Sequence, residues 1–255
     1  MAVAPATVEN LRQLLVQHAG GFLRNTIREP KVTCSVCATP CPGYDLCIQC
    51  RKQLYVAGAR ADQVASLTYA VGGRQSGFMM RNYKATPPVK QHVTLVMLTA
   101  VVGLALHGEC AGRRLVAPVT QWAAIPSLPQ KPGQHPLRSL VHAAAPGEEV
   151  WIGAAEVASH PRAVDPDHFR VGPLPAGSHM LLIDDTWTGG GHAQSAVLAA
   201  RDAGASHVSV LNVSRWIDGR WAIEGFGNND GFMAQRCTAD YDPSVCPWTG
   251  GVCPP

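Results

Sequence analysis

The stretch "HMLLIDDTWTGGGHAQSAVLAARDAGASHVSVLNV", residues 179–213, carries the clearest secondary-structure pattern in the chain. Its apolar run at 180–183 predicts a buried strand, and the apolar positions of 192–203 recur at helical spacing. A further run of apolar and β-branched residues, 207–213, predicts a second strand. A strand, a helix and a strand in this order form a right-handed βαβ unit, so we expect the two strands to be parallel.

Other apolar runs indicate that this unit belongs to a larger sheet. They are "WAAIP" at 122–126 and "EVWIGAAEV" at 149–157, with longer connections between them. Runs of this kind favour a parallel sheet with helices on its faces, which is the α/β class. The longest apolar run, 93–106, is too short to cross a bilayer as a helix, so it predicts a buried core helix.

The connection between the predicted strand and helix, residues 184–191, combines acidic and small residues. Asp184 and Asp185 stand at the carboxyl end of the strand, where open α/β sheets bind their ligands. The threonine- and glycine-rich loop then opens a helix, whose N-terminal N–H groups favour an anion such as phosphate. Carboxylates beside a phosphate site suit a sugar phosphate, because they accept hydrogen bonds from hydroxyl groups. The alternative is a strand-end turn that binds no ligand.

The segment "LLIDDTWTGGGHAQSA", residues 181–196, resembles the phosphoribosyl pyrophosphate (PRPP) motif of the type I phosphoribosyltransferases. The resemblance implies the parallel-sheet type I phosphoribosyltransferase fold. It also implies that the catalytic carboxylates are Asp184 and Asp185. The residues that would hold the 5′-phosphate of PRPP are Thr186, Trp187, Thr188, Gly189 and Gly190.

Two further segments are similar to the competence-associated, ComF-like branch of this family. "YAVGGRQSGFMMRNYK", residues 69–84, resembles its short hood and ends in Tyr83 and Lys84. "IPSLPQKPGQHPLRSLV", residues 125–141, resembles its diphosphate-binding loop. The diphosphate contacts that this resemblance implies are Ser127, Lys131 and Arg138. A Pro-rich surface connection with solvated charges is the alternative for this loop.

The family resemblance implies an enzyme that transfers the 5-phosphoribosyl group of PRPP to a small, nitrogenous acceptor and releases diphosphate. Mg²⁺ would accompany PRPP and bridge its diphosphate and ribose hydroxyls. A long polar segment, 159–179, is the candidate cover, with Arg162 or Arg170 closing over the diphosphate, and its alternative is an ordinary surface loop. A homodimer is compatible with the resemblance. The competing hypothesis is a non-catalytic ComF-like protein that handles PRPP, a nucleotide or DNA in competence or regulation.

The stretch "CSVCATPCPGYDLCIQC", residues 34–50, contains two C-x-x-C pairs. Paired knuckles of this form place four thiolates around a zinc ion and predict a small zinc ribbon. The expected ligands of this structural Zn²⁺ are Cys34, Cys37, Cys47 and Cys50. Cys41 is left over as a buried thiol or a local substitute ligand.

The C-terminal tail contains three more cysteines, Cys237, Cys246 and Cys253, with no fourth ligand nearby in the sequence. One hypothesis is a second zinc site completed by a distant residue. The candidates for that residue are Cys41, Cys110, His107 and Asp240. The alternatives are free thiols, or a disulfide with an odd cysteine.

These patterns divide the 255-residue chain into four parts. They are a helical lead-in (1–30), the zinc ribbon (31–55), a phosphoribosyltransferase-like domain with its hood (56–230) and an irregular Cys- and Pro-rich tail (231–255). The formal net charge of +3 argues against nucleic acid as a partner, because backbone binding needs clustered basic residues. No secretory signal pattern opens the sequence, so we expect a cytoplasmic protein without a membrane partner.

Overall fold

The computed structural model describes residues 4–55, 60–128, 136–155 and 162–255. Its helices are α1 (Pro5–Ala19), α2 (Ile48–Tyr55), α3 (Gln75–Asn82), α4 (Lys90–His107), α5 (Cys110–Leu115), α6 (Pro136–Val141), α7 (Gly191–Asp202) and α8 (Asn229–Arg236). Its strands are β1 (Gln63–Gly72), β2 (Gln121–Ala124), β3 (Glu148–Glu149), β4 (Ile152–Ala154), β5 (Phe169–Val171), β6 (His179–Trp187), β7 (His207–Asp218), β8 (Ala222–Ile223) and β9 (Gly227–Asn228). A short 3₁₀ helix covers Pro166–His168.

Five strands form one parallel sheet in the order β1–β7–β6–β2–β3. The other four make two small antiparallel pairs, β4 with β5 and β8 with β9. The strand order reverses between β2 and β6, because the chain moves outward to β3 on one side and to β7 on the other. The prediction of an α/β fold with a parallel sheet is confirmed.

The βαβ unit predicted from residues 179–213 is present as β6, α7 and β7. β6 is longer than the predicted 180–183, because its pairing with β7 continues to Trp187 opposite Arg215. α7 begins directly after Gly190, whose φ of 83° lies in the left-handed region that glycine adopts without strain. The local hydrophobic period therefore identified the unit correctly and underestimated its first strand.

β1 is an edge strand that the sequence analysis did not identify. It pairs with β7 from Gln63 to Gly72, although Ser66 and Thr68 interrupt its apolar pattern. Both hydroxyl residues are buried, and Thr68 exchanges a 2.8 Å hydrogen bond with the hydroxyl of Ser214 on β7. The strand is recognisable only when that distant partner is known.

The apolar run at 149–157 does not form one strand of the parallel sheet, so that prediction was wrong. Glu148–Glu149 pairs with β2 at the sheet edge, whereas Ile152–Ala154 pairs antiparallel with β5. The chain turns away between them, where the N–H of Gly172 donates to the carbonyl of Trp151 at 3.0 Å.

Two hydrophobic clusters cover the two faces of the sheet. One contains α4 together with odd-numbered sheet residues such as Leu67, Leu181 and Leu211, and the other contains α7 with Leu182 and Val210. α4 extends beyond the apolar run to 18 residues and is long and apolar enough to cross a membrane, so the prediction that it is too short to do so was wrong. Within the fold it contacts α1, α3, α6, β1 and β7. The prediction of a buried core helix at 93–106 is therefore confirmed.

The two chain termini depart from the predicted boundaries. The lead-in is helical only to Ala19, and the following residues run beside β1, where Asn25 forms an antiparallel bridge with Thr68. The predicted irregular tail begins instead with the last turns of α8. Beyond Cys237 it is irregular as predicted, apart from an isolated bridge between Cys246 and Gly251.

Candidate functional site

The candidate site lies beyond the carboxyl ends of β2 and β6, where the strand order reverses. Open α/β sheets bind ligands at such reversals, because the loops from the two strands diverge and leave a crevice. At this crevice the segment after β2 contacts the start of α7. His192 Nε2 lies 3.1 Å from the carbonyl oxygen of Pro126. The His192 ring also packs edge-on against Phe169, with 4.9 Å between the ring centroids. The segments predicted to bind phosphate and diphosphate are therefore neighbours.

The carboxylates of Asp184 and Asp185 point to opposite faces of the sheet, because β6 continues through both residues. Asp184 lies in register with Asn212 of β7, and its Oδ1 accepts the N–H of Asp185 at 2.8 Å. Asp185 lies on the other face, where Tyr83 and Lys84 meet it. The sequence pattern predicted that both carboxylates lie together at a strand end. Because β6 is longer than predicted, the two side chains point to opposite faces of the sheet instead.

Asp185 is a buried acid with two donors from the segment that follows α3. The Tyr83 hydroxyl donates to Oδ2, and the Lys84 ammonium forms an ion pair with the same oxygen. Burial raises the pKa of Asp185 from 3.8 to about 6, and the hydrogen bonds from Thr186 lower it less. A ligand hydroxyl could donate to this oxygen only if it displaced Tyr83 or Lys84.

The loop between β6 and α7 presents unused donors. Within the described residues, the N–H groups of Gly189, Gly190 and Gly191 have no hydrogen-bond acceptor. These groups lie at the N-terminus of a 12-residue helix, where the helix dipole also favours negative charge. Of the predicted phosphate-binding residues, Thr188 is exposed and Thr186 is half-buried. The loop can therefore hold an anion through its backbone.

The Trp187 side chain packs beneath this loop. Its ring is 1% exposed, and a Cβ added to Gly190 would lie 2.3 Å from the ring. In this conformation the ring supports the loop, and any contact of Trp187 with phosphate would come from its backbone.

A buried arginine that the sequence analysis did not single out anchors the loop. Arg215 of β7 is 5% exposed and donates to the carbonyl oxygens of Trp187 and Thr188 at 2.6 and 2.8 Å. Its Nε donates to Thr39 Oγ1 at 2.7 Å, in the cysteine-rich segment. A second link comes from α2, where Gln53 Nε2 donates to the carbonyl oxygen of Gly189 at 2.5 Å. The cysteine-rich segment and the loop therefore form one hydrogen-bonded unit.

The implied diphosphate contacts are only partly described. Ser127 follows the end of β2, three residues after Ala124. Lys131 lies outside the described residues. Arg138, on α6, forms an ion pair with Glu149 at the sheet edge, so it would have to exchange this partner to bind diphosphate.

The candidate cover at 159–179 is described from residue 162 onward. There it packs on α7 and is not a free surface loop. A Cβ on Gly191 would lie 2.0 Å from the carbonyl oxygen of Arg162, and Ser195 Oγ accepts the N–H of Asp165 at 2.9 Å. His168 is buried, whereas Arg170 is exposed.

The four predicted zinc ligands come together in one buried group, which we call the four-cysteine cluster. Its members are Cys34, Cys37, Cys47 and Cys50, and their sulfur atoms all lie within 4.8 Å of one another. Tetrahedral zinc with Zn–S bonds of about 2.3 Å requires sulfurs about 3.8 Å apart, and the Cys37 and Cys47 sulfurs are separated by 3.7 Å. The geometry is that of a closed metal site, as the spacing of the C-x-x-C pairs predicts.

Two arginines lie close to the four-cysteine cluster. Arg215 is buried and Arg28 is half-buried, and neither forms an ion pair with a carboxylate of the described residues. Burial and Cys34 raise the pKa of Cys37, but Cys47, Cys50 and the charge of Arg215 outweigh them and lower it to about 6. A metal with four thiolates carries net negative charge, which these guanidinium groups would balance.

The signal for Arg215 is present in the sequence but weak. A single arginine interrupts the buried run "HVSVLNVSRWI" of β7, and a buried charge inside a strand requires partners. Those partners lie at Thr39 and Trp187, far away in sequence, so local patterns do not reveal them.

No protein-family model matches this chain, and no curated protein matches its sequence.

Proposed function

We propose that the protein binds PRPP at the reversal between β2 and β6 and transfers its 5-phosphoribosyl group to a small acceptor, with release of diphosphate. The observation that carries the proposal is the set of N–H groups at Gly189, Gly190 and Gly191, at the start of α7, which donate to no acceptor among the described residues. A site for one phosphate with a carboxylate beside it suits a sugar phosphate, and the resemblance of residues 181–196 to the PRPP motif supports the same ligand.

In this proposal the residues act by binding and orientation. The loop backbone holds the 5′-phosphate, and Asp184, on the same face of the sheet as α7, accepts hydrogen bonds from the ribose hydroxyls. Asp185 points to the opposite face and would reach a ribose hydroxyl at the strand end only if that hydroxyl replaced Tyr83 or Lys84. Lys84, once displaced, remains near the site as a cation that favours an anionic ligand. Fixed charges and donors in a site that excludes water supply most of the rate enhancement for such a transfer. Mg²⁺ bound to the diphosphate of PRPP would add positive charge at the leaving group.

We infer further that the metal of the four-cysteine cluster is Zn²⁺ with a structural role. Four soft thiolates in a closed tetrahedral arrangement select zinc and leave no coordination position for a substrate. Through Thr39, Arg215 and Gln53, the zinc-bound segment would hold the phosphate loop in place.

A second candidate function is PRPP or nucleotide binding without transfer. The contacts of Tyr83 and Lys84 with Asp185 favour it, because they occupy a carboxylate oxygen that catalysis would need. In that case the protein would bind PRPP or a nucleotide without transferring a phosphoribosyl group, and would act in regulation or in delivery of that ligand.

Diphosphate release separates the two functions. The purified protein is mixed with PRPP, Mg²⁺ and a panel of nitrogen heterocycles and amines, and diphosphate is followed by a coupled assay. The proposal predicts acceptor-dependent release that disappears in the Asp184→Asn/Asp185→Asn double variant. Tight PRPP binding without diphosphate release for any acceptor would favour the binding function instead.

A further inference from the structure

A second group of metal-ligating side chains lies away from the proposed PRPP site, and we call it the histidine–cysteine cluster. His107 is the last residue of α4, Cys110 is the first of α5, and the two remaining members, Cys246 and Cys253, come from the C-terminal tail. One imidazole nitrogen and three sulfur atoms all lie within 4.8 Å of one another. α4 and α5 follow one another in sequence, whereas the tail is distant from both and meets them at this point.

The imidazole of His107 is oriented for metal binding. Its Nε2 lies 2.8 Å from the carbonyl oxygen of Pro243, which can only accept, so Nε2 carries the proton. The lone pair is then on Nδ1, which lies 3.4 Å from Cys253 Sγ. Tetrahedral zinc with ordinary Zn–N and Zn–S bonds requires about 3.6 Å between these atoms. Metal-bound histidines are commonly held by such a bond from the other ring nitrogen.

The turn that carries Cys246 is held by hydrogen bonds of its own. The N–H of Cys246 donates to the carbonyl of Gly251, and the N–H of Gly250 donates to the carbonyl of Cys246, both at 2.8 Å. The hydroxyl of Thr249 donates to the carbonyl of Val252 at 2.7 Å and accepts the N–H of Gly251 at 3.2 Å. These bonds fix the backbone that carries the Cys246 sulfur beside His107 and Cys110.

The tail residues next to Cys246 are packed and hydrogen-bonded against α4 and the N-terminal segment. Trp248 is fully buried, and its Nε1 donates to the carbonyl oxygen of His107 at 2.9 Å. Arg28 Nε donates to the carbonyl oxygen of Pro247 at 2.7 Å. The tail from Cys237 onward has no helix, and its only extended pairing among the described residues is the isolated bridge of Cys246 with Gly251. The N–H of Tyr241 donates to the carbonyl of Gly20 at 3.0 Å, and the contacts of Trp248 hold the end of the tail against α4.

We propose that His107, Cys110, Cys246 and Cys253 bind a second structural Zn²⁺ ion, which fastens the C-terminal tail to the corner between α4 and α5. Zinc is the metal that a closed set of three thiolates and one imidazole selects. A disulfide between two of the cysteines would leave the third thiol and the oriented Nδ1 of His107 without a partner. Cys237, Cys41 and Asp240 lie outside this set.

The first test is the zinc content per chain, measured by inductively coupled plasma mass spectrometry on the full-length protein. Cys253→Ser should contain one zinc equivalent less than the wild type. Cys237→Ser is the matched control, because this tail cysteine is buried elsewhere, beside Tyr69 and Phe232. Cys34→Ser reports on the four-cysteine cluster, so the two sites are counted separately. Equal zinc in Cys253→Ser and wild type would overturn the proposal.

A measurement on the wild type covers the case in which Cys253→Ser does not fold. Protein loaded with ¹¹³Cd should give a resonance of the three-sulfur, one-nitrogen type in the cadmium NMR spectrum, distinct from a four-sulfur resonance. Mass spectrometry after alkylation without reduction should find Cys110, Cys246 and Cys253 free of disulfides. The absence of a three-sulfur, one-nitrogen resonance, or a disulfide among these cysteines in freshly purified protein, would contradict the second zinc site.

Discussion

At the scale of single residues, Asp185 shows how the candidate site differs from an ordinary strand end. The carboxyl is 6% exposed, and burial raises its pKa to about 6 while Tyr83 and Lys84 donate to it. Buried acids with a raised pKa are frequent at functional sites, where the surroundings shift the pKa towards neutral pH. Asp185 therefore remains a candidate for a ligand contact as well as a partner of Tyr83 and Lys84.

This pKa leads to a prediction about pH and stability. A carboxyl whose pKa is higher in the folded state than its ordinary value of 3.8 binds a proton more readily when folded. The free energy of unfolding of the wild type should therefore rise, relative to Asp185→Asn, as the pH falls from above 6 towards 4. Urea unfolding of both proteins at several pH values measures this difference.

Asp184→Asn serves as the control for that experiment, because it removes a carboxylate from the same strand but leaves Asp185 in place. It should keep the pH dependence that Asp185→Asn loses. Parallel pH profiles for wild type and Asp185→Asn would show that Asp185 has no raised pKa.

The two neighbouring glycines of the loop give a second prediction at this scale. Gly190 has a φ of 83° and lies against the Trp187 ring, whereas nothing lies within 4 Å of a Cβ on Gly189. Gly190→Ala should destabilise the protein by about 1–2 kcal/mol and weaken PRPP binding, because the left-handed conformation is unfavourable for alanine. Gly189→Ala should change neither property greatly. Thermal unfolding and PRPP titration of both variants measure the difference, and equal behaviour would contradict this role of Gly190 in the loop.

At the scale of elements, Arg215 joins the cysteine-rich segment to the loop between β6 and α7. Replacing it with lysine keeps the charge but loses the planar group that donates to Thr39, Trp187 and Thr188. Arg215→Lys should therefore leave buried acceptors unsatisfied, lower the free energy of unfolding by about 1–3 kcal/mol and weaken PRPP binding. Chemical unfolding and calorimetry measure the two effects.

The control for Arg215→Lys is Arg220→Lys, in the turn after the same strand, where the side chain is 91% exposed. It should leave both properties unchanged. If Arg215→Lys bound PRPP as tightly as Arg220→Lys, the cysteine-rich segment would not position the loop.

The sequence predicted those elements whose pattern is local. The βαβ unit around Asp184 was predictable because its strands and helix each show their own period, and the four-cysteine cluster because its ligands are close in sequence. β1 was missed because Ser66 and Thr68 interrupt its apolar pattern and are buried by distant segments, as the bond between the Thr68 and Ser214 hydroxyls shows. The contacts of Arg215 join three separate segments, and no local pattern contains them.

At the scale of the whole molecule, the structure contains two clusters of candidate metal ligands, one in the N-terminal segment and one where the tail meets α4 and α5. The four-cysteine cluster adjoins the loop between β6 and α7 through Gln53, and the histidine–cysteine cluster brings the tail together with α4 and α5. Each cluster joins an irregular segment to a helix, and a bound metal ion would supply folding energy there. The parallel sheet between them carries the candidate site.

PRPP binding by this sheet, through the loop and the two carboxylates, is central to the proposed function. Titration of PRPP into the zinc-loaded protein by calorimetry, with and without Mg²⁺, tests it most directly, with Asp184→Asn/Asp185→Asn alongside. We expect Mg²⁺-dependent binding to the wild type that the double variant loses while it remains folded. A folded wild type that takes up no PRPP under either condition would contradict the proposed function.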